Sequence, residues 1–278
     1  MLTPSASSTD VIADKDNVYQ VCFTDPAQGA ASAQYIAEHG LATKVAVIYN
    51  NGDVYSTGIY QTFEAKRRAG PGDREGHHLY RRHHRLLRSG HRDQDAGAEL
   101  VFLPIYYTPA STILTQAASM DYAPIFFGVD GMDGILTMEG FDTSLAEGVL
   151  LLTPFSADAK DEKTVNFVTK YVELYGDTPN QFAADAYDAV YAVYEAMVAG
   201  GITADTTPEE ACEIMIEQMQ QLTIEGLTGT MTWSATGEVS KTPHRRQDRK
   251  RRVRGHGITT ARRPLPAPAA GRATSEHS

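Results

Sequence analysis

The chain has 278 residues, 42% of them hydrophobic, and a formal net charge of −10. That length can bury one large core or two smaller ones, and the apolar share excludes global disorder. No uninterrupted apolar run reaches the roughly 18 residues of a membrane-spanning helix, so none is expected.

From the N-terminus, MLTPSASSTD has neither a basic n-region nor an apolar h-region, so no signal peptide is visible. Asp25-Pro26 followed by AQGAASAQYIAEHG reads as a helix, with Asp25 as N-cap, Pro26 at the first helical position and Gly40 at the end. KVAVIYN (44–50) is a short apolar run, the mark of a strand buried on both faces. In 55–66, Tyr55, Ile59 and Phe63 recur at helical spacing. ELVFLPIYY (99–107) is a second buried strand, and 109–120 a helix with Ile113, Leu114 and Ala117 on one face. APIFFG (123–128) and GVLLLTPF (148–155) read as strands. Long helices are expected near 160–175, 181–199 and 207–221, the last opening on Thr207-Pro208-Glu209-Glu210, a capping box with Pro in the first turn. GTMTWSATGEVSK (229–241) reads as a hairpin around Thr236-Gly237. Strand–helix alternation of this kind predicts an α/β protein whose parallel sheets are covered by helices on both faces.

The net charge hides a split. Arg occurs 17 times, 8 within 66–95 and 9 within 244–278, and eight of the nine His share those windows. The windows carry net charges of +5 and +8, and everything else carries −23. A nucleic-acid patch, a metal-binding His cluster and out-of-frame translation all compete to explain this. The genetic code favours the third. Read one base forward, codons for HHLYRRHHRLLRSGH can give TTFTDDTTDFSVQV, and those for HRRQDRKRRVRGH can give TAVKIENGVYVAM. Both strings have the polar balance of the acidic remainder. Bare basic tracts, by contrast, are weak and sequence-tolerant signals. On this reading 66–95 is out of frame and 244–278 is an out-of-frame, disordered tail. The two cysteines, Cys22 and Cys212, lie far apart and form no metal spacing, and a disulfide is allowed but not indicated.

Ligands of parallel sheets bind beyond the carboxyl ends of the strands. Those ends here lead into Asn50–Ser56, Tyr106-Tyr107 and Gly128–Gly131. One rim would therefore collect tyrosines and Asp130, flat apolar faces plus one negative charge, which suits a small zwitterion with an ammonium and an apolar side chain. By residue type alone, Asp130 between glycines also fits a turn, the Tyr pair strand-end packing, and Ser5 and Ser7 loop or cap positions. No general base stands beside a nucleophile, and no Gly-rich phosphate loop appears. His39, the one His outside the Arg windows, sits at a helix end. An enzyme is not expected, and neither is a cofactor or metal.

TPSASS, CFTDPAQGAASAQYI, NNGDVYSTGIYQTFE, DAGAELVFLPIYYTPASTILTQA, PIFFGVDGMDG and TPNQFAADAYDAVY occur in an order and spacing that resembles the branched-chain amino-acid-binding proteins of ABC transporters. The resemblance covers essentially all in-frame residues, and the two recovered strings resemble the family where the family has them. It implies the type I periplasmic-binding fold, two Rossmann-like lobes joined by crossovers that close on a ligand. It implies capture of a leucine-, isoleucine- or valine-like amino acid outside the cytoplasm, delivery to a membrane permease, a monomer, and no nucleic acid. Ser7 would hold the ligand carboxylate, with Ser5 and Ala6 giving backbone contacts, Tyr55 and Tyr106 closing from the second lobe, and Asp130 pairing with the α-ammonium.

The resemblance also implies damage. Residues 1–24 and 155–224 would be a remnant of lobe one; 25–154 and 225–243 would be lobe two. The opening part of the family pattern would be missing, including its signal sequence and an early Ser-bearing ligand loop. Phe167, Val168, Tyr171, Tyr187, Val190 and Tyr194 would then lose the sheet they cover and stand exposed. Little or no binding by the chain itself is expected. A ligand-sensing domain of a receptor or regulator, and a nucleic-acid-binding protein using the basic blocks, are the competing readings.

Overall fold

The structure, a computed structural model, describes residues 1–69, 78–83, 97–242 and 258–260. The strands are β1 (Leu2–Thr3), β2 (Tyr19–Gln20), β3 (Lys44–Tyr49), β4 (His78–His83), β5 (Leu100–Leu103), β6 (Ile125–Gly128), β7 (Leu150–Leu152), β8 (Thr223–Glu225), β9 (Thr230–Trp233), β10 (Val239–Thr242) and β11 (Ile258–Thr260). The α-helices are α1 (Asp25–Glu38), α2 (Val54–Ala69), α3 (Tyr107–Ser119), α4 (Glu162–Tyr175), α5 (Gln181–Ala199) and α6 (Pro208–Gln221).

Six strands form the main sheet in the order β11-β7-β6-β5-β3-β4, parallel except for β11. The apolar runs explain its burial. Val45, Val47 and Tyr49 of β3 and Leu100 and Phe102 of β5 face one layer, with Ile59 and Phe63 of α2 and Ile36 of α1. Ala46, Ile48, Val101 and Leu103 face the other, with Ile113 and Leu114 of α3. Both faces are thus dry, which is why these strands read as continuous apolar runs rather than as alternation. The chain enters at β3, steps outward to β4, then crosses back to β5 on the other side. That reversal opens a crevice at the carboxyl ends of β3 and β5, where a doubly wound sheet holds its ligand.

α1 and α2 lie side by side on one face, brought together at Gly29. A Cβ there would sit 2.3 Å from the Ile59 carbonyl oxygen, so the close approach requires glycine. The cap of α1 differs from the expectation. Thr24, not Asp25, is the N-cap, its hydroxyl accepting from Ala27 N–H at 3.4 Å, and Asp25 is already the first helical residue. A Thr side chain can cap as Asp can, so the sequence allowed both. The helix then ends at His39, with Gly40 beyond it at φ +55°. The strand expected over 99–107 ends at Leu103: Pro104 and Ile105 turn the chain, Tyr106 is the N-cap of α3 and Tyr107 its first residue. The helices over 162–175, 181–199 and 208–221 and the hairpin of β9 and β10 fall where the periodicity puts them, and Thr207 and Glu210 close the capping box. The short strands β1, β2 and β8 gave no signal of their own, being two or three residues long.

A second body of core packs α5 and α6 on β2, β9 and the hairpin: Tyr19, Val21, Ala192, Ala196, Met219, Met231 and Trp233. Here the expected exposure needs correction. Phe167, Val168 and Tyr187 are half-buried around Phe155, Ala184 and Leu227, with Phe167 edge-on to Phe155 at 5.9 Å, and the ring of Tyr171 lies tilted against Phe167 at 5.8 Å. These side chains turn inward onto the 155 and 227 segments. Val190 and Tyr194 are exposed as expected, at 67% and 57%. Both cysteines are free, Cys22 buried. Of the Arg/His windows, the described residues are the last turn of α2, β4 and β11; the rest lies outside them. Among the described residues, no helix is long and apolar enough to cross a membrane.

Candidate functional site

Three chain turns meet at the crevice. The loop after β3 starts α2 at Val54, so Tyr55 points back across the carboxyl edge. The turn after β5 delivers Tyr106, and the turn after β6 is a 3-10 turn, Asp130–Met132. The hydroxyl of Tyr55 donates to Asp130 Oδ1 at 2.5 Å and accepts from Gly131 N–H at 2.9 Å. Gln28 of α1 donates through Nε2 to Asp130 Oδ2 at 2.8 Å. The ring of Tyr106 stacks on that of Tyr55 at 4.7 Å, with 48% of Tyr106 exposed. Gly131 is required by this packing: a Cβ would lie 2.6 Å from the Tyr55 hydroxyl and 3.1 Å from Tyr106 Cδ1.

The electrostatics are those of buried acids. Asp130 is 6% exposed, and burial pushes its carboxyl up to about 7, with the Tyr55 hydrogen bond pulling down and the charges of Asp185 and Asp25 pushing up. Tyr55 is raised well above its ordinary range by burial and by the Asp130 charge beside it. Asp25, 2% exposed, is pushed up to about 6 by burial, with Ser7's hydroxyl opposing. Behind the crevice lies a buried ion pair. Lys241 of β10 donates to Asp185 Oδ1 of α5 and to Thr228 Oγ1, each at 2.7 Å. Asp188 accepts from Leu227 N–H, Thr228 N–H and the Thr228 hydroxyl.

Of the residues singled out in the sequence, Tyr55, Tyr106 and Asp130 form one contact cluster. Ser7 is buried and lies beside Asp25, whose N–H donates to the Ser7 carbonyl at 3.1 Å; Asp25 in turn acts on Asp130 through its charge. Ser5 is exposed. Ala6 uses its backbone within the loop, its N–H donating to Thr3 Oγ1 at 3.0 Å and its carbonyl accepting from Gln20 Nε2 at 2.7 Å. Gln28, Asp185 and Lys241 were not singled out. Gln28 had a signal, a long polar side chain on the Ala-rich buried face of α1; the Lys241–Asp185 pair, 56 residues apart, had none.

Residues 1–243 match the profile of the family described as periplasmic binding protein. No curated protein matches the chain. Among solved structures, a leucine-binding protein from Thermotoga maritima superposes with a TM-score of 0.73 at 24% identity, over 87% of this chain and 67% of that one. A branched-chain amino acid transporter substrate-binding protein from Streptococcus pneumoniae, solved with isoleucine, gives 0.70 at 23% identity over 87% and 67%. A solute-binding protein of an ABC transporter from Rhodopseudomonas palustris, solved with 3,4-dihydroxybenzoic acid, gives 0.70 at 18% over 86% and 65%. The chain thus spans about two thirds of the length of these structures. With a doubly wound parallel sheet, a crevice at its switch point and a profile match over most of its length, the chain belongs to the periplasmic binding protein family and has its type I fold.

Proposed function

We propose that this chain is the extracytoplasmic receptor component of an ABC transporter for a branched-chain or related amino acid, which it captures and hands to a membrane permease. In this reading residues 1–24 and 155–224 belong to lobe one, and 25–154 and 225–243 to lobe two. Ser7, with Ser5 and Ala6 alongside, would serve the ligand carboxylate, Tyr55 and Tyr106 the side chain, and Asp130 the α-ammonium. The observation that carries it is Asp130: a buried carboxylate at the sheet's switch point, flanked by stacked tyrosines, with its charge raised in cost by burial. An incoming ammonium relieves that cost through a charge-assisted hydrogen bond. A plain carboxylate such as a benzoate would be repelled, so an ammonium-bearing ligand is favoured over the benzoate class seen in the Rhodopseudomonas relative.

Saturation-transfer NMR reads millimolar affinities and suits a chain two thirds the length of its relatives. Leucine, isoleucine or valine should give transfer that Asp130→Asn abolishes. Transfer from 3,4-dihydroxybenzoate alone, or none from any aliphatic amino acid, would overturn the assignment.

A further inference from the structure

Both oxygens of the Asp130 carboxyl are engaged within the fold, one by Tyr55 and the other by Gln28. Gln28 lies on the buried face of α1, 1% exposed, next to Gly29, where α1 presses against α2. Its amide makes three contacts. Nε2 donates to Asp130 Oδ2 at 2.8 Å and to the Phe23 carbonyl at 3.3 Å, and Oε1 accepts from Asp130 N–H at 3.4 Å. Two of these partners fix its orientation. A backbone N–H can only donate and a backbone carbonyl can only accept, so the amide cannot turn over without losing both bonds. Asp130 Oδ2 therefore always meets an N–H. That suits a carboxylate and excludes a proton on Oδ2, which would point at another donor's hydrogen. Tyr55 is less selective, since a hydroxyl can donate to Oδ1 or accept from it.

The other groups around Asp130 divide by sign. Burial, and after it the charges of Asp185 on α5 and Asp25 on α1, push the carboxyl toward its neutral form. Lys241 of β10 spends its charge on Asp185. The Tyr106 hydroxyl and the Cys22 thiol feel the Asp130 charge and are neutral. The Tyr55 hydroxyl and Gly131 N–H pull the other way, toward the carboxylate. Gln28 joins them with a donor that cannot reverse, and both of its N–H groups are used inside the protein, so none is left for a ligand. We propose that Gln28 is a positioning residue of the amino-acid site: its locked amide aims Asp130 and holds it as a carboxylate for the ligand's ammonium. The ammonium half of that statement rests on the amino-acid reading above, and the ionisation half does not.

Carbon-13 NMR of the aspartate carboxyl carbons reads the ionisation in the full, ligand-free chain, with Asp130 identified by the signal that Asp130→Asn removes. Gln28→Met keeps the length of the side chain and deletes its amide. The Asp130 midpoint, about 7 in the parent, should rise by about one to two pH units, the size expected for one lost hydrogen bond to a charged group. Leucine affinity should then drop about tenfold at pH 7 and return to within about threefold of the parent at pH 9, where the carboxyl is again ionised. A role in packing alone would weaken binding equally at both pH values and leave the midpoint in place. Gln28→Glu is nearly isosteric and keeps the test open if Gln28→Met fails to fold. Two carboxyls at hydrogen-bond distance share one proton, so Asp130 should then titrate in two separated steps. A midpoint in Gln28→Met within about 0.3 pH units of the parent overturns the proposal, as does a single step at the parent's midpoint in Gln28→Glu. So does an equal loss of leucine affinity at pH 7 and pH 9. A shifted midpoint in a chain that binds no leucine upholds the hold of Gln28 on Asp130 and removes the amino-acid reading instead.

Discussion

At Asp130, burial holds the carboxyl at about 7 in the folded chain, above its unfolded value near 4. The folded state therefore keeps a proton that the unfolded state gives up, and stability declines as pH rises between those values and is level above them. Asp130→Asn cannot lose that proton. It should be more stable than the parent at pH 8, on the order of 2–4 kcal/mol, and no more stable at pH 4. Asp25, Asp133 and Asp185 are shifted upward as well, so urea melts of parent and variant at both pH values are compared as a difference. Binding of an ammonium at Asp130 needs the ionised form, so leucine affinity should fall as pH drops below about 7. Tyr55→Phe leaves Asp130 Oδ1 and Gly131 N–H short of a partner in a dry site and should cost about 1–3 kcal/mol by the same melts. The tyrosines and the acid were visible from the sequence because each follows an apolar run. Gln28 and the sealed Asp25 were not, because their partners come from other segments of the chain.

Between elements, two contacts show opposite degrees of legibility. The capping box of α6 is local: Thr207 and Glu210 are three residues apart, and the helix amides they satisfy follow directly. Thr207→Ala should cost about 1 kcal/mol in a urea melt, without changing ligand binding. The pair that joins β10 to α5 is not local. Lys241 and Asp185 have side chains 0% and 1% exposed, and Thr228 and Asp188 extend the network. Lys241→Met leaves Asp185 buried and unpaired, and should destabilise by about 3–5 kcal/mol, while the double variant with Asp185→Leu should regain much of that loss. Recovery in the double variant distinguishes an uncompensated charge from simple loss of packing. Nothing in the sequence around Lys241 sets it apart from a solvated strand-end lysine, and only the fold seals it beneath Phe23, whose ring centroid is 5.6 Å away.

Across the molecule, the inner strands β3, β5 and β7 are well covered and the helical body is not. Val190, Tyr194 and Val198 repeat every fourth residue along α5 and are 67%, 57% and 59% exposed, with Tyr191 beside them at 45%. A continuous apolar stripe in water favours association. Sedimentation velocity should show concentration-dependent association of the chain, reduced in the Val190→Glu, Tyr194→Glu double variant; a monodisperse parent at high concentration would contradict it.

The periodic segments by themselves determined the α/β class, the helices at 162–175, 181–199 and 208–221, the strands around β3, β5 and β6, and the rim where Tyr55, Tyr106 and Asp130 belong. They could do so because each element is set by apolar spacing and end signals within a few neighbouring residues. The tertiary structure alone decided the strand order that opens the crevice between β3 and β5, the partnering of Gln28 with Asp130 and Lys241 with Asp185, and the sealing of Asp25. Those depend on which distant segments exclude water from one another, and burial of a polar group is a property of the packed chain, not of the residue type.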